Sequence, residues 1–369
     1  MNSFSASEWL HPRLLPFFTL SYPTDPPKNP DSFHNTQYYG TGLQDLCLIV
    51  TIIAVYAIIR DVFRLGVFEP FARWKLNRDL QQNCSTRELK HSDSVVIGNG
   101  RSSLNGNGHV TVNGNGKVTR PNKKEQRKLH RRVLRFAEQG WPIIYYPLQT
   151  AFGVYINREL PTRLFNPVDL WIGYPHIPVA GPVKLYYLAQ TAFYLHQMLI
   201  LNAEAPRKDH YQMMTHHVIT VFLMGTSYYY NFTRVGCLLM VLMDWCDIFL
   251  PMAKMIRYLA LPQIYCDATF VWWLISWFVT RHVLFVVVIY STMFDLPRLH
   301  PWKWDPPSGH YLTKGAHVMF TSSLLALEII QIMWFAMICR IAWRVLTSGQ
   351  GASDDRSDEE SPGTDEKEE

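Results

Sequence analysis

Two adjacent histidines, His216 and His217, and two aspartates three residues apart, Asp244 and Asp247, are the densest ionisable group within the apolar part of this sequence. Ionisable side chains inside a membrane span are costly, so each is a functional candidate by default. Imidazole is the side chain best suited to moving protons near neutral pH. A carboxylate can hold its tautomer and stabilise the imidazolium, the logic of a hydrolase triad without the serine. Such a set could deprotonate an attacking amine while charge develops on an activated acyl group. Alternatively, one imidazole attacks the acyl carbon and holds it until a second substrate arrives. Adjacent helical residues point about 100° apart, so the two imidazoles suit two roles better than two copies of one. The competing reading, two ion pairs that fix helix packing, is weaker, because burying four ionisable groups is a poor way to gain stability.

The elements that must position this set are membrane helices. Apolar runs near the ~20 residues needed to cross ~30 Å of hydrocarbon occur seven times: about Gln44 to Phe63, Trp141 to Ile156, Val183 to Asn202, Met213 to Phe232, Val235 to Ala253, Tyr265 to Tyr290 and Ala316 to Val345. The second is short and contains Pro142 and Pro147; the last two are long enough to tilt. If the fourth and fifth spans form a hairpin turning near Phe232 and Thr233, His217 lies level with Ile248 and Asp244 about one turn deeper. Asp244 and Asp247 share a helix face. The four groups are therefore expected at one depth, roughly 5 to 10 Å inside one membrane surface.

Charge orients the spans. The stretch from Arg60 to Arg135 is basic, Lys254 and Arg257 follow the fifth span, and Arg340 and Arg344 end the seventh. Seven spans put all three on one side, which the positive-inside rule makes cytosolic. The N-terminus is then lumenal and the C-terminus cytosolic. The net charge of +5 conceals a tail from Ser353 to Glu369 that carries −7 and a remainder that carries +12. Its basic excess flanks apolar spans, so no nucleic-acid partner is inferred. Ser357 in the tail precedes Asp358, Glu359 and Glu360, a setting acidophilic kinases favour. Six scattered cysteines, with no C-x-x-C pair, support neither a disulfide framework nor a metal site. No charged region leads directly into an apolar core at the N-terminus, so no cleavable signal is expected.

These features divide the chain into a lumenal segment (1–43), a first span (44–63), a cytosolic linker (64–122), a membrane domain (123–346) and an acidic tail (347–369). The linker contains GNGRSSLNGNGHVTVNGNGKVT, a low-complexity composition that favours disorder. After it, Leu129, Val133, Phe136 and Ala137 recur at helical spacing opposite a basic face. This predicts an amphipathic helix on the membrane surface, with cations able to meet phosphate.

The run E-x-P-R-K-D-H-Y-Q-M-M-T-H-H-x-x-T from Glu204, followed by N-x-x-R-V-G from Asn231 and D-x-x-D-I-F-L-x-x-A-K-M from Asp244, closely resembles the Lag motif of ceramide synthases. Those proteins belong to the TRAM-LAG-CLN8 superfamily, and this form of the motif resembles the fungal one. The resemblance covers roughly Lys123 to Leu346. It implies an all-α membrane protein of about seven transmembrane helices, the last six forming a TLC-type helical barrel, in the endoplasmic reticulum membrane. It also implies N-acylation of a sphingoid base of the dihydrosphingosine or phytosphingosine type by a long-chain fatty acyl-CoA. Acyl-CoA is then a substrate and no cofactor is expected. Carried over residue by residue, His216, His217, Asp244 and Asp247 are the catalytic set. His196, Arg207, Lys208, Asn231 and Arg234 are candidates for substrate binding, and the arrangement leaves room for a small accessory membrane subunit or a homodimer. One departure is Met243, where many members carry His before the first Asp. A homeobox-like region found after the first span in animal relatives is not expected, since the Asn-Gly linker occupies that place. The resemblance also implicates the lumenal loop between the last two spans, here about Ser291 to Gly315, in acyl-chain preference. A fatty-acid elongase would need H-x-x-H-H, but Met213 stands at the first His; a di-iron enzyme would need more His boxes. A non-enzymatic lipid-binding or translocon-associated relative is the different-class alternative, and the retained His-His and Asp-x-x-Asp set argues against it.

Overall fold

The computed structural model describes residues 11–82, 123–163, 166–203 and 209–348. The acidic tail with Ser357, most of the linker, and Arg207 and Lys208 lie outside the described residues. The chain is mainly helical: α1 (Asp45–Gln82), α2 (Lys123–Glu138), α3 (Gly140–Glu159), α4 (Gly181–Ala203), α5 (His210–Tyr229), α6 (Thr233–Tyr258), α7 (Gln263–Leu299) and α8 (Lys314–Ser348). Four of these, α1, α6, α7 and α8, are long and apolar enough to cross a membrane. Helices α3, α4 and α5, of 20, 23 and 20 residues, have the length but carry more polar residues. The protein is an all-α, multi-pass membrane protein, with β-structure among the described residues limited to two-residue strands and isolated bridges.

The first helix does not stop at Phe63, where the apolar run ends. It continues through a π-helical turn, Arg64–Phe68, to Gln82, so residues 64–82 are helix rather than linker. The physical reason is a second amphipathic pattern: Phe68, Ala72 and Leu76, at i, i+4 and i+8, pack against Val133, Phe136 and Tyr258. Leu129, Val133, Phe136 and Ala137 do form the buried side of α2. That side is covered by α1 and α6. Helix α3 runs unbroken through Pro147.

At the opposite end, strands β1 (Pro23–Thr24), β2 (Tyr38–Tyr39) and β3 (Val179–Ala180) form a small antiparallel sheet in that order. Beneath it, Lys184 is fully buried; its Nζ donates to the carbonyls of Ser21 (2.8 Å) and Gly40 (2.7 Å) and pairs with Asp45 at 2.7 Å. Tyr228 donates to the other oxygen of Asp45 at 2.9 Å. One buried cluster thus joins the N-terminal segment, α1, α4 and α5. A buried charge is tolerated only with such satisfied geometry.

The stretch expected to be loop after Tyr290 is helix as far as Leu299. Val288, Ser291, Thr292 and Leu296 fall on one face and are buried in the bundle, so packing extends α7 and only residues 300–313 connect it to α8.

Candidate active site

His216 and His217 lie in the first two turns of α5, at the end of the bundle that also holds α2. Their rings are 5.5 Å apart but face different helices: His216 meets the Trp334 ring of α8 at 5.2 Å, and His217 meets Tyr194 of α4 at 6.0 Å. The 100° offset of adjacent residues is thereby realised as two environments. Nδ1 of each imidazole has no hydrogen-bond partner among the described residues.

Asp244 is completely buried. Its Oδ2 accepts from Nε2 of Gln190 and its Oδ1 from the Tyr194 hydroxyl (3.1 Å), while Oε1 of Gln190 accepts from the Tyr145 hydroxyl at 3.0 Å. Asp247, part-exposed, accepts from Nη2 of Arg281 at 2.7 Å. That guanidinium also donates to the Met243 carbonyl (2.8 Å) and lies 4.0 Å from the centre of the Trp277 ring. Arg281 sits in a π-helical stretch of α7, Phe278–Leu284, a distortion often found at functional sites. The expected direct pairing of imidazole with carboxylate is therefore not present. The Asp face of α6 turns to α4 and α7, and Tyr194 stands between Asp244 and His217, touching both.

From this cluster an apolar cavity runs through the bundle, with about 830 Å³ of empty space including its mouth. His216, Tyr194 and Met243 line one end; Trp171, Leu296 and Phe320 line the other. His216 and Ser227 both line it, and eleven residues of α5 separate them, so the cavity extends about 16 Å along the bundle. Gly236 lines it too, and a Cβ there would fall 1.5 Å from the Tyr187 hydroxyl. His217 is not on the wall. Among the described residues, no three His, Cys, Asp or Glu side chains are grouped to hold a metal ion.

A match to the TLC domain covers residues 135–340. The chain belongs to the TLC-domain family. The TLC-domain match thus takes in α3 to α7 and most of α8, the helices around the cavity. The chain is 31% identical to a sphingosine N-acyltransferase of Schizosaccharomyces pombe over 352 residues, 95% of this chain and 74% of that one. It is 35% identical to a sphingosine N-acyltransferase-like protein of Alternaria alternata over 266 residues, 64% of this chain and 61% of the relative. It is 36% identical to a ceramide synthase of Gibberella moniliformis over 258 residues, 63% and 60% of the two chains. The chain thus spans about three fifths of the length of the Alternaria and Gibberella relatives.

Within the TLC domain, the weaker sequence candidates separate from the cluster. Asn231, in a left-handed backbone conformation that Asn tolerates, donates to the Gly309 carbonyl at 2.8 Å. Arg234 pairs with Asp31 and donates to the Ile172 carbonyl at 2.8 Å. Ten residues of α6, about 15 Å of rise, separate Arg234 from Asp244, so both belong to the far end of the bundle and brace it. His196 is buried on the α1 side of α4, with Arg60 and Asp61 as its charged neighbours. Sequence reasoning missed Gln190 and Tyr194, whose i,i+4 spacing inside an apolar run was the available signal. It also missed Glu328 and Gln331, a buried acid and amide midway along α8, which the cost of intramembrane polar groups should have flagged.

Proposed function

We propose that this chain is a ceramide synthase that transfers a long-chain fatty acyl group from acyl-CoA to the amine of a sphingoid base. The observation that carries the proposal is the apolar cavity ending at His216, beside Asp244 and the Asp247–Arg281 pair, on a scaffold whose relatives are named for this activity. An acyl tail lies along the cavity and its thioester stands at His216. The ammonium of the base gives one proton to water at the mouth of the site, and the neutral nitrogen attacks the thioester carbon. As the amide C–N bond forms and the C–S bond breaks, imidazole takes the second amine proton and passes it to the departing CoA sulfur. His216 is the imidazole that meets the carbonyl, because it lines the cavity and its Nδ1 is unbonded among the described residues. His217, set against Tyr194, completes a proton path toward Asp244.

In this reading α1 and α3 to α8 make seven crossings, and α3 to α8 close as a barrel around the cavity. The end with α2, His216 and the terminus of α8 is cytosolic, the small sheet is lumenal, and the membrane is that of the endoplasmic reticulum. The basic α2 and the positive-inside rule support this orientation, as does the need for a charged CoA to remain in water. The outward apolar face of α1, with Val50, Val55, Ile58 and Val62 exposed, is where a small accessory membrane subunit or a second copy would pack.

The test is the full chain in lipid nanodiscs, supplied with acyl-CoA and a long-chain base, with products read by mass spectrometry. Ceramide is expected from the wild type, and His216→Ala and His217→Ala should each reduce it to background while the protein keeps its helical content. Near-normal product from both variants would remove the proposal.

A further inference from the structure

Helix α8 carries a row of polar residues that the mechanism above does not use. Glu328, Gln331 and Trp334 follow at three-residue intervals, close to one face of the helix. All three are more than nine-tenths buried, and each keeps one polar atom without a partner among the described residues: Oε2 of Glu328, Oε1 of Gln331 and Nε1 of Trp334. Buried polar atoms are usually hydrogen-bonded, and here three unpartnered ones follow one another along a single helix.

The row has direction. At its start, Oε1 of Glu328 is 2.7 Å from Nδ1 of His282, in the π-helical stretch of α7, and Nε2 of that imidazole is also unpartnered. In the middle, the Gln331 amide reaches only the Met243 sulfur, at 3.5 Å. At its end, the Trp334 ring meets His216. Six residues of α8, about 9 Å of rise, separate Glu328 from Trp334. Outside the row, Phe278, Leu325, Ile329 and Ile332 are exposed apolar side chains on α7 and α8. The start of the row therefore lies behind a lipid-facing seam, and its end lies at the reacting imidazole. None of its three residues lines the acyl cavity, although the adjacent Leu327 does.

We propose that this seam between α7 and α8 is the binding site for the second substrate, a long-chain amine. Its ammonium is received by the free oxygens of Glu328 and Gln331, and its hydrocarbon tail stays against the apolar seam. The assignment of the ligand rests on the N-acyltransferase reading; the site itself rests on the unpartnered atoms. A carboxylate is the group that draws a cation out of the interface, and an amide oxygen one turn on carries it toward His216. Separate housing keeps the acyl chain in the cavity and the base at the membrane edge, so the two tails do not compete for one space.

The experiment needs no turnover. Binding to the full chain in nanodiscs is measured by calorimetry for two probes of equal chain length. One is an N,N,N-trimethyl derivative of the long-chain base, permanently cationic and unable to be acylated; the other is a neutral diol without the nitrogen. The wild type should bind the cation at least tenfold more tightly. Glu328→Gln should lose most of that difference while the calorimetric affinity for a non-cleavable thioether analogue of acyl-CoA stays within twofold. A Glu328→Gln protein that keeps the full discrimination, or that weakens both probes equally, overturns the site. If that variant does not fold, Gln331→Leu takes its place in the same comparison, and the same two outcomes overturn the site. Absence of ceramide from the wild type would count against the proposed activity alone, since the binding comparison stands without it.

Discussion

On the proposed acyltransferase reading, the end of the cavity remote from His216 is expected to set the acyl length that fits, and Leu296 is the residue to change. Its side chain is 1% exposed and lines that end with Trp171 and Phe320. Leu296→Ala removes three carbon atoms from the wall, room for about two further methylenes of the substrate. Each buried methylene contributes about 0.8 kcal/mol, so two contribute about 1.6 kcal/mol. In kcat/KM that is about 15-fold in favour of an acyl-CoA two carbons longer than the wild type prefers. The substitution also costs roughly 2–5 kcal/mol of stability, depending on how far the site collapses; collapse would erase the gain in length. The assay is competition between acyl-CoAs of graded length in one reaction, with ceramides resolved by mass and folding followed by thermal unfolding. Thr292→Phe, which adds a ring at the same end, should shift the profile the other way. A folded, active Leu296→Ala with an unchanged length profile, together with an unchanged Thr292→Phe, would show that this end is not the ruler. Because α7 is helical to Leu299, the determinant expected on this reading is a helix face in the bundle wall.

Asp244→Asn should lower kcat by at least a hundredfold without loss of helical content. Both carboxylate oxygens accept, from Gln190 and Tyr194, and an amide can accept at only one of them, setting donor against donor at the other; near wild-type turnover would contradict this. Lys184→Met should lower the unfolding midpoint by on the order of 10 °C, since breaking a buried pair costs about 3–5 kcal/mol, whereas the double change with Asp45→Leu should cost less than the two single changes combined. Gly236→Ala should impair folding through the clash with Tyr187, and Tyr187→Leu in the same chain should recover it; an unaffected Gly236→Ala would show that Tyr187 moves freely.

The sequence by itself determined the apolar helices and singled out His216 and His217 as the candidate reacting imidazoles. Those follow from local physics: a span must be about 20 apolar residues, cations collect on one side, and an ionisable side chain in such a run stands out against its neighbours. Helix α2 was legible for the same reason, because Leu129, Val133 and Phe136 sit at helical spacing. What covers that helix was not, since lipid and the protein surface offered by Ala72, Leu76 and Tyr258 are equally apolar. Only the tertiary structure decided which helix each polar group would meet. One sum over a two-helix hairpin set His217 beside Asp247, but helices pack on several sides at once. Rotation of α6 gives Asp244 to Gln190 and Tyr194, and Asp247 to Arg281. His216, on α5, faces the cavity and Trp334 of α8. Asn231 and Arg234 sit within the recognised motif, yet they brace the opposite end, because a motif is continuous in sequence while a helical hairpin carries its two halves about 15 Å apart. The polar row of α8 joins residues that follow His216 by more than a hundred positions, a separation across which no spacing rule operates; closing the bundle is what brings it to the imidazole.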